Sequence, residues 1–228
     1  MYNARLFDRF GCRFLGCRFM VEFLQIHPRN PQSRLIQRAT NVLRNGSVIV
    51  YPTDTSYALG AHIGDKQAMD VIRRIRRLDD NHNFTLLCTD LSQVSTFTKM
   101  GNDAHRLIKN LTPGPFTFIL DATREVPRRL QHAKKKTIGV HITDNLIARA
   151  LLAELGEPIL TSTLLLPGDD DVLADPYDIR ERLNHEVDVI IDGGIIPYQP
   201  TTVIACMDNR IEIIRQGVGV ASMLEKST

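Results

Sequence analysis

Apolar positions along the chain keep switching between a helical spacing of three to four residues and short unbroken runs. Leu35, Ile36, Ala39, Val42 and Leu43 share one helical face and predict a helix from Pro31 to Arg44, with Gly46 as its stop. Ser47–Tyr51 follows as a buried strand. Asp65 is placed to cap a helix reaching about Arg77, Phe84–Cys88 reads as a strand, Asn102 opens a helix to Leu111, and Phe116–Leu120 is a further strand. Strands over Thr137–Ile142 and Ile159–Ser162 flank a helix from Asn145 to Leu155, with Asp144 as the expected cap and Gly156 as the close. Asp175-Pro176 opens a helix to Leu183, and strands are expected at 187–191, 202–205 and 211–215. About seven strands interleaved with helices predict a single layered α/β domain.

Composition narrows the class. The 228 residues, 43% of them hydrophobic, suffice for one substantial core, and no compositional break marks a second domain. No apolar run approaches the roughly 18 to 20 residues needed to cross a bilayer, so no membrane partner is expected. Residues 1–19 stand apart: Gly11-Cys-Arg-Phe14 is echoed by Gly16-Cys-Arg-Phe19, with four Arg against one Asp. They lack the apolar stretch and cleavage site of a signal peptide and read as a disordered extension, the domain occupying 20–228. The chain has 28 Lys and Arg against 26 Asp and Glu, a net charge of +2; setting aside those four Arg and one Asp leaves −1. A nearly neutral domain is no general polyanion binder, so nucleic-acid contact would rest on a local patch. Cys12, Cys17, Cys88 and Cys206 show no metal-ligand grouping, which points to free thiols in a reducing, cytoplasmic setting.

The chemistry concentrates in Ser47-Val-Ile-Val-Tyr-Pro-Thr-Asp-Thr-Ser-Tyr-Ala-Leu-Gly60, Thr112-Pro-Gly-Pro-Phe-Thr-Phe-Ile-Leu120 and Thr137-Ile-Gly-Val-His-Ile142. Each joins a buried run to a turn rich in Thr, Pro or Gly, which collects hydroxyls and backbone N–H groups at strand ends. Asp192-Gly-Gly194, Thr201-Thr-Val203 and Arg215-Gln-Gly217 continue the series. In this order the segments resemble the YrdC-like family over roughly residues 27 to 220. Ile26-His-Pro28, His82-Asn-Phe-Thr-Leu86, Glu125-Val-Pro-Arg-Arg-Leu130 and Leu164-Leu-Leu-Pro-Gly168 are similar to its YciO branch. The resemblance implies a twisted, mixed sheet with a concave ligand cleft. It also implies kinship with threonylcarbamoyl-AMP synthases, which use ATP, threonine and bicarbonate in tRNA modification, with Mg2+ accompanying the ATP.

Carried over position by position, the resemblance places Arg76, His82, Thr137 and Arg215 at the nucleotide and Thr55, His141, Thr163 and Thr201 at the second substrate. Each also admits a purely structural role, as a turn hydroxyl, a strand threonine or an edge charge. His141 stands where the synthase branch has Arg, and could replace it when protonated or be an ordinary strand histidine. Leu78, Leu87 and Leu165 stand where that branch has a cation, a histidine and an amide. Losing one donor to a charged group costs about 1.5 to 3 kcal/mol. The expected function is therefore nucleotide binding with weak or altered synthase-like activity. Six cations within 13 residues, Arg124, Arg128, Arg129, Lys134, Lys135 and Lys136, lead into the Thr137 strand. Arg128, Arg129 and Lys134 to Lys136 are the candidates for double-stranded RNA or tRNA contact. The alternative is accordingly a non-catalytic RNA-binding module.

Overall fold

The computed structural model describes residues 20–79, 82, 84–207 and 210–220; the expectation of a disordered extension falls on residues outside these. In chain order the elements are β1 (Glu22–Gln25), α1 (Ser33–Arg44), β2 (Ile49–Pro52), β3 (Tyr57–His62), α2 (Lys66–Arg76), β4 (Thr85–Leu87), α3 (Leu91–Phe97), β5 (Thr98–Lys99), α4 (Asn102–Leu111), β6 (Phe116–Ala122), β7 (Thr137–His141), α5 (Leu146–Leu155), β8 (Ile159–Thr163), α6 (Pro176–Leu183), β9 (Val189–Asp192), β10 (Thr202–Met207) and β11 (Arg210–Arg215). Eleven strands form one sheet in the order β1-β9-β2-β3-β8-β4-β7-β6-β10-β11, with β5 paired to β6. The sheet is mixed: β9 runs parallel to β1 and β2, and β7 parallel to β4, while β3 and β8 run antiparallel to their neighbours.

The α/β class stands, with more strands than the pattern predicts. The unpredicted strands are short or poor in β-formers: β5 has two residues, and β3 reads Tyr-Ala-Leu-Gly-Ala-His. Gly60 within β3 has a packing reason, since a Cβ there would lie 2.7 Å from the Tyr51 ring. Helix ends follow local chemistry. The Asp65 carboxylate accepts from the Ala68 N–H at 2.8 Å and caps α2, and Gly156 closes α5 at φ +77°. The expected Asp144 cap is corrected to Asn145, whose side-chain oxygen accepts from Ile147 and Ala148 N–H at 3.0 and 3.1 Å. Asp144 instead lies 3.7 Å from the Arg149 guanidinium.

Alternation along the strands divides the apolar residues between two faces. On one, Leu59, Leu86, Phe118, Val140, Leu160 and Ile204 pack with Met69 and Ile72 of α2, Leu107 and Ile108 of α4 and Ile179 of α6. On the other, Ile49, Tyr51, Ala58, Ile159, Val189 and Ile191 pack beneath Ile36, Ala39 and Leu43 of α1 and Ile147, Leu151 and Leu152 of α5. These two helices cover that second face over β9, β2, β3 and the start of β8. No described helix covers the remainder, toward β11, and the site lies there.

Candidate functional site

On this uncovered half, the positions that continue the second face change character. Thr85 of β4 pairs with Gly139 of β7 and Thr161 of β8, Thr117 of β6 pairs with His141 of β7 and Val203 of β10, and Val203 pairs with Arg215 of β11. Where the covered half presents Ile and Leu, this half presents hydroxyls, a glycine, a histidine and an arginine. Gly139 keeps the floor low, because a Cβ there would stand 2.6 Å from Thr85 Oγ1 and 3.1 Å from the Phe84 carbonyl.

Two adjoining cavities occupy the hollow. The larger, about 310 Å³, has Arg76, His82, Tyr198 and Arg215 at its rim and Ile119, Leu165 and Val203 as its apolar wall. The smaller, about 60 Å³, is bounded by Thr53, Thr55, Ser56, Ala58, Leu87 and His141. They share Thr85, Thr117, Thr161, Ser162, Thr163 and Thr201, which makes them two ends of one cleft. Both arginines are tied down. A terminal nitrogen of Arg76 donates to the Thr163 carbonyl, and Nη2 of Arg215 donates to the Thr201 carbonyl at 3.0 Å and to its hydroxyl at 3.3 Å. Burial lowers the Arg76 pKa, though a guanidinium stays charged. Burial first, then the charge of Arg76, holds His82 below the usual histidine value of 6.5 and favours its neutral ring.

At the smaller end, His141 is engaged on both sides. Nδ1 meets the Phe116 carbonyl at 2.7 Å, and Nε2 meets Asp54 Oδ1 at 3.0 Å. The two contacts take up both ring nitrogens of His141. Thr143 Oγ1 donates to the same Asp54 oxygen at 2.8 Å. Burial alone would raise the Asp54 carboxyl; the hydrogen bond and charge of His141, with the Thr143 hydroxyl, outweigh it and hold the group below its ordinary value. Thr53 shapes the turn above: its hydroxyl donates to the Ser56 carbonyl at 2.7 Å and accepts the Thr55 and Ser56 amides at 3.2 and 3.1 Å. The segment carrying Tyr198 is fastened across the hollow by the Gln199 amide, which donates to the Thr55 carbonyl at 2.8 Å.

Seven of the eight predicted small-molecule contacts thus surround one cleft: Arg76, His82, Arg215, Thr163 and Thr201 at the larger end, with Thr163, Thr201, Thr55 and His141 at the smaller. Thr137 does not join them. It extends the Gly139 and His141 face by one further position, is buried to 1% exposure and lines neither cavity. The basic run is also displaced. Arg128, Arg129, Lys134, Lys135 and Lys136 are exposed but line neither cavity; Arg129 donates to the Gly64 carbonyl, and Lys136 Nζ to the Ala133 carbonyl at 3.2 Å. Sequence reasoning missed Asp54, Thr143, Thr85, Thr117 and Tyr198. Thr85 and Thr117 reach this face through cross-strand pairing with Gly139 and His141 of β7, and the Asp54–His141 contact spans 87 residues, so none of the three left a local trace.

Among the departures, Leu165 lines the cleft and Leu87 forms part of its smaller end, fully buried and paired with His141. Leu78 packs against the core beyond the end of α2. Cys88 and Cys206 are free and buried, and desolvation pushes their thiols up to about 12 and about 11.

The Sua5/YciO/YrdC family model, described under telomere recombination, matches residues 41–217. The chain belongs to that family. It is 54% identical over 200 residues to YciO of Escherichia coli K12, covering 88% of this chain and 97% of that protein. The crystal structure of E. coli YciO superposes with a TM-score of 0.85, covering 88% of this chain and 98% of the other. A threonylcarbamoyl-AMP synthase of Chromobacterium violaceum is 34% identical over 137 residues, 60% of this chain and 70% of the synthase. The Sua5 of P. abyssi, solved with L-threonine, shares the fold at a TM-score of 0.81 and 23% identity, covering 90% of this chain and 60% of Sua5. The family relation extends to synthases of tRNA modification. Among the described residues no helix is long and apolar enough to span a membrane.

Proposed function

We propose that the cleft binds an adenine nucleotide at the Arg76, His82 and Arg215 end and a small polar partner at the Thr55 and His141 end, with slow or altered threonylcarbamoyl-AMP synthase-like chemistry. The carrying observation is the continuity of the two cavities through six shared residues. A group bound at one end can meet a group bound at the other, which condensation of two substrates requires. Kinship with threonylcarbamoyl-AMP synthases, and the threonine seen in a Sua5 of the same fold, support threonine as the second ligand. ATP is then the co-substrate, with Mg2+ arriving on it. The reduced rate follows from Leu165 and Leu87, which offer no hydrogen bond, and from His141, whose two nitrogens are already engaged. Free thiols fit a cytoplasmic setting.

The test incubates the full chain with labelled ATP, bicarbonate and threonine and follows pyrophosphate. Slow, threonine-dependent release is expected; the absence of any nucleotide binding by the folded protein contradicts the proposal. A second reading rests on the exposed basic run from Arg124 to Lys136, which fits RNA phosphates. Its position off the cleft separates it from the first, so RNA binding there would leave nucleotide affinity unchanged.

A further inference from the structure

The cations of the cleft point to the class of nucleotide. Two guanidiniums, Arg76 and Arg215, reach the larger cavity, held on carbonyls from different strands, at Thr163 at the end of β8 and Thr201 just before β10. The third basic side chain at this end, His82, sits on the Arg76 side with its ring edge-on to Phe84 at 5.7 Å. Arg73, whose guanidinium lies 5.5 Å from the Phe84 ring, and the Lys134 to Lys136 run line neither cavity. Among the described residues, no carboxylate lines either cavity and no three His, Cys, Asp or Glu side chains converge as a metal set.

A triphosphate carries about four negative charges at neutral pH and commonly travels with Mg2+, which protein sites hold through one or two carboxylates beside the phosphates. This cleft supplies two fixed positive charges, neutral hydroxyls from Thr85, Thr117 and Thr201, and an apolar wall that suits a base or ribose. Two guanidiniums match the charge of one phosphate group without a metal.

We propose that the cleft is built for a nucleoside bearing a single phosphate, held without metal between Arg76 and Arg215, in preference to a magnesium triphosphate. This rests on the nucleotide reading above and refines it: the chain would hold the adenylate side of the reaction better than the ATP side. Slow forward chemistry would follow from weak capture of the triphosphate.

Isothermal titration of the unaltered full chain tests this with adenosine, AMP, and ATP with and without Mg2+. AMP should bind at least as tightly as ATP and about tenfold or more tighter than adenosine, because one charge-assisted contact is worth at least that factor. Mg2+ should not give ATP the advantage. Arg215→Gln should remove most of the gain of AMP over adenosine while leaving adenosine binding in place. If ATP with Mg2+ binds more tightly than AMP, the single-phosphate inference falls and the nucleotide reading stands. If neither AMP nor ATP binds, both fall. Should the variant fold poorly, the comparison of ligands on the unaltered chain decides alone.

Discussion

One face of the sheet contains two regions built on the same period of two and put to opposite uses. Toward β9 the alternate positions are Ile49, Tyr51, Val189 and Ile191, sealed by α1 and α5 and almost without exposure. Toward β11 they are Thr85, Thr117, Gly139, His141, Val203 and Arg215, with no described helix above them. Strand geometry does not distinguish the halves; side-chain chemistry and the reach of two helices do. His141 and Leu87 pair across β7 and β4 at the boundary, so the polar floor begins against the apolar seal. Stability should therefore answer mainly to the covered half and ligand affinity to the open one.

The largest expected effect breaks the seal. Leu151→Ala removes a fully buried side chain between α5 and the sheet and should cost about 2 to 5 kcal/mol in a denaturant titration. Nucleotide affinity of the protein that remains folded should be unchanged. A parallel loss of affinity would show that the halves are coupled.

Next is the boundary. Asp54→Asn should cost about 1.5 to 3 kcal/mol, because His141 loses its charged partner inside the protein. The folded pKa of Asp54 is depressed, so its contribution is fully present above the ordinary value of 3.8 and is lost as pH falls below that through the folded value. The stability gap between wild type and variant, followed by urea unfolding across pH, should hold above pH 3.8 and close as the pH drops further. A gap unaffected by acid would deny the pair its role.

Both halves were partly legible in the sequence. Helical spacing from Leu35 to Leu43 marked the helix that seals the covered half, and the Thr, Pro and Gly turns marked the strand ends of the open one. Thr137 shows the limit: it shares the face of His141, yet burial removes it from the cleft, and burial is a property of the assembled sheet. Lys134 to Lys136 show another, since adjacency to a cleft strand in sequence does not set which way the preceding loop carries its charges. Asp54 was missed because its meaning lies in a contact made only after β7 packs beside β6 and the turn at Thr53 folds over them.

Smaller effects sharpen the open half. Leu165→Asn puts an amide on the cleft wall and should raise nucleotide affinity by up to about tenfold, read by titration, since a neutral hydrogen bond contributes about 0.5 to 1.5 kcal/mol. Unchanged affinity would mean that the bound ligand does not pass that wall. Replacing Lys134, Lys135 and Lys136 together with Ala should leave nucleotide affinity untouched, while making the salt slope of any RNA binding shallower by about 2 to 3. A fall in nucleotide affinity would place the basic run at the cleft after all.

The most direct measurement is a crystal structure of the full chain with an adenine nucleotide bound. Its phosphate should lie against Arg76 and Arg215, with the base or ribose along Ile119, Leu165 and Val203. Nucleotide seated instead in the separate cavity lined by Lys99, Asp121 and Arg210, or along the Lys134 to Lys136 surface with the cleft empty, would contradict the assignment of the open half as the ligand site.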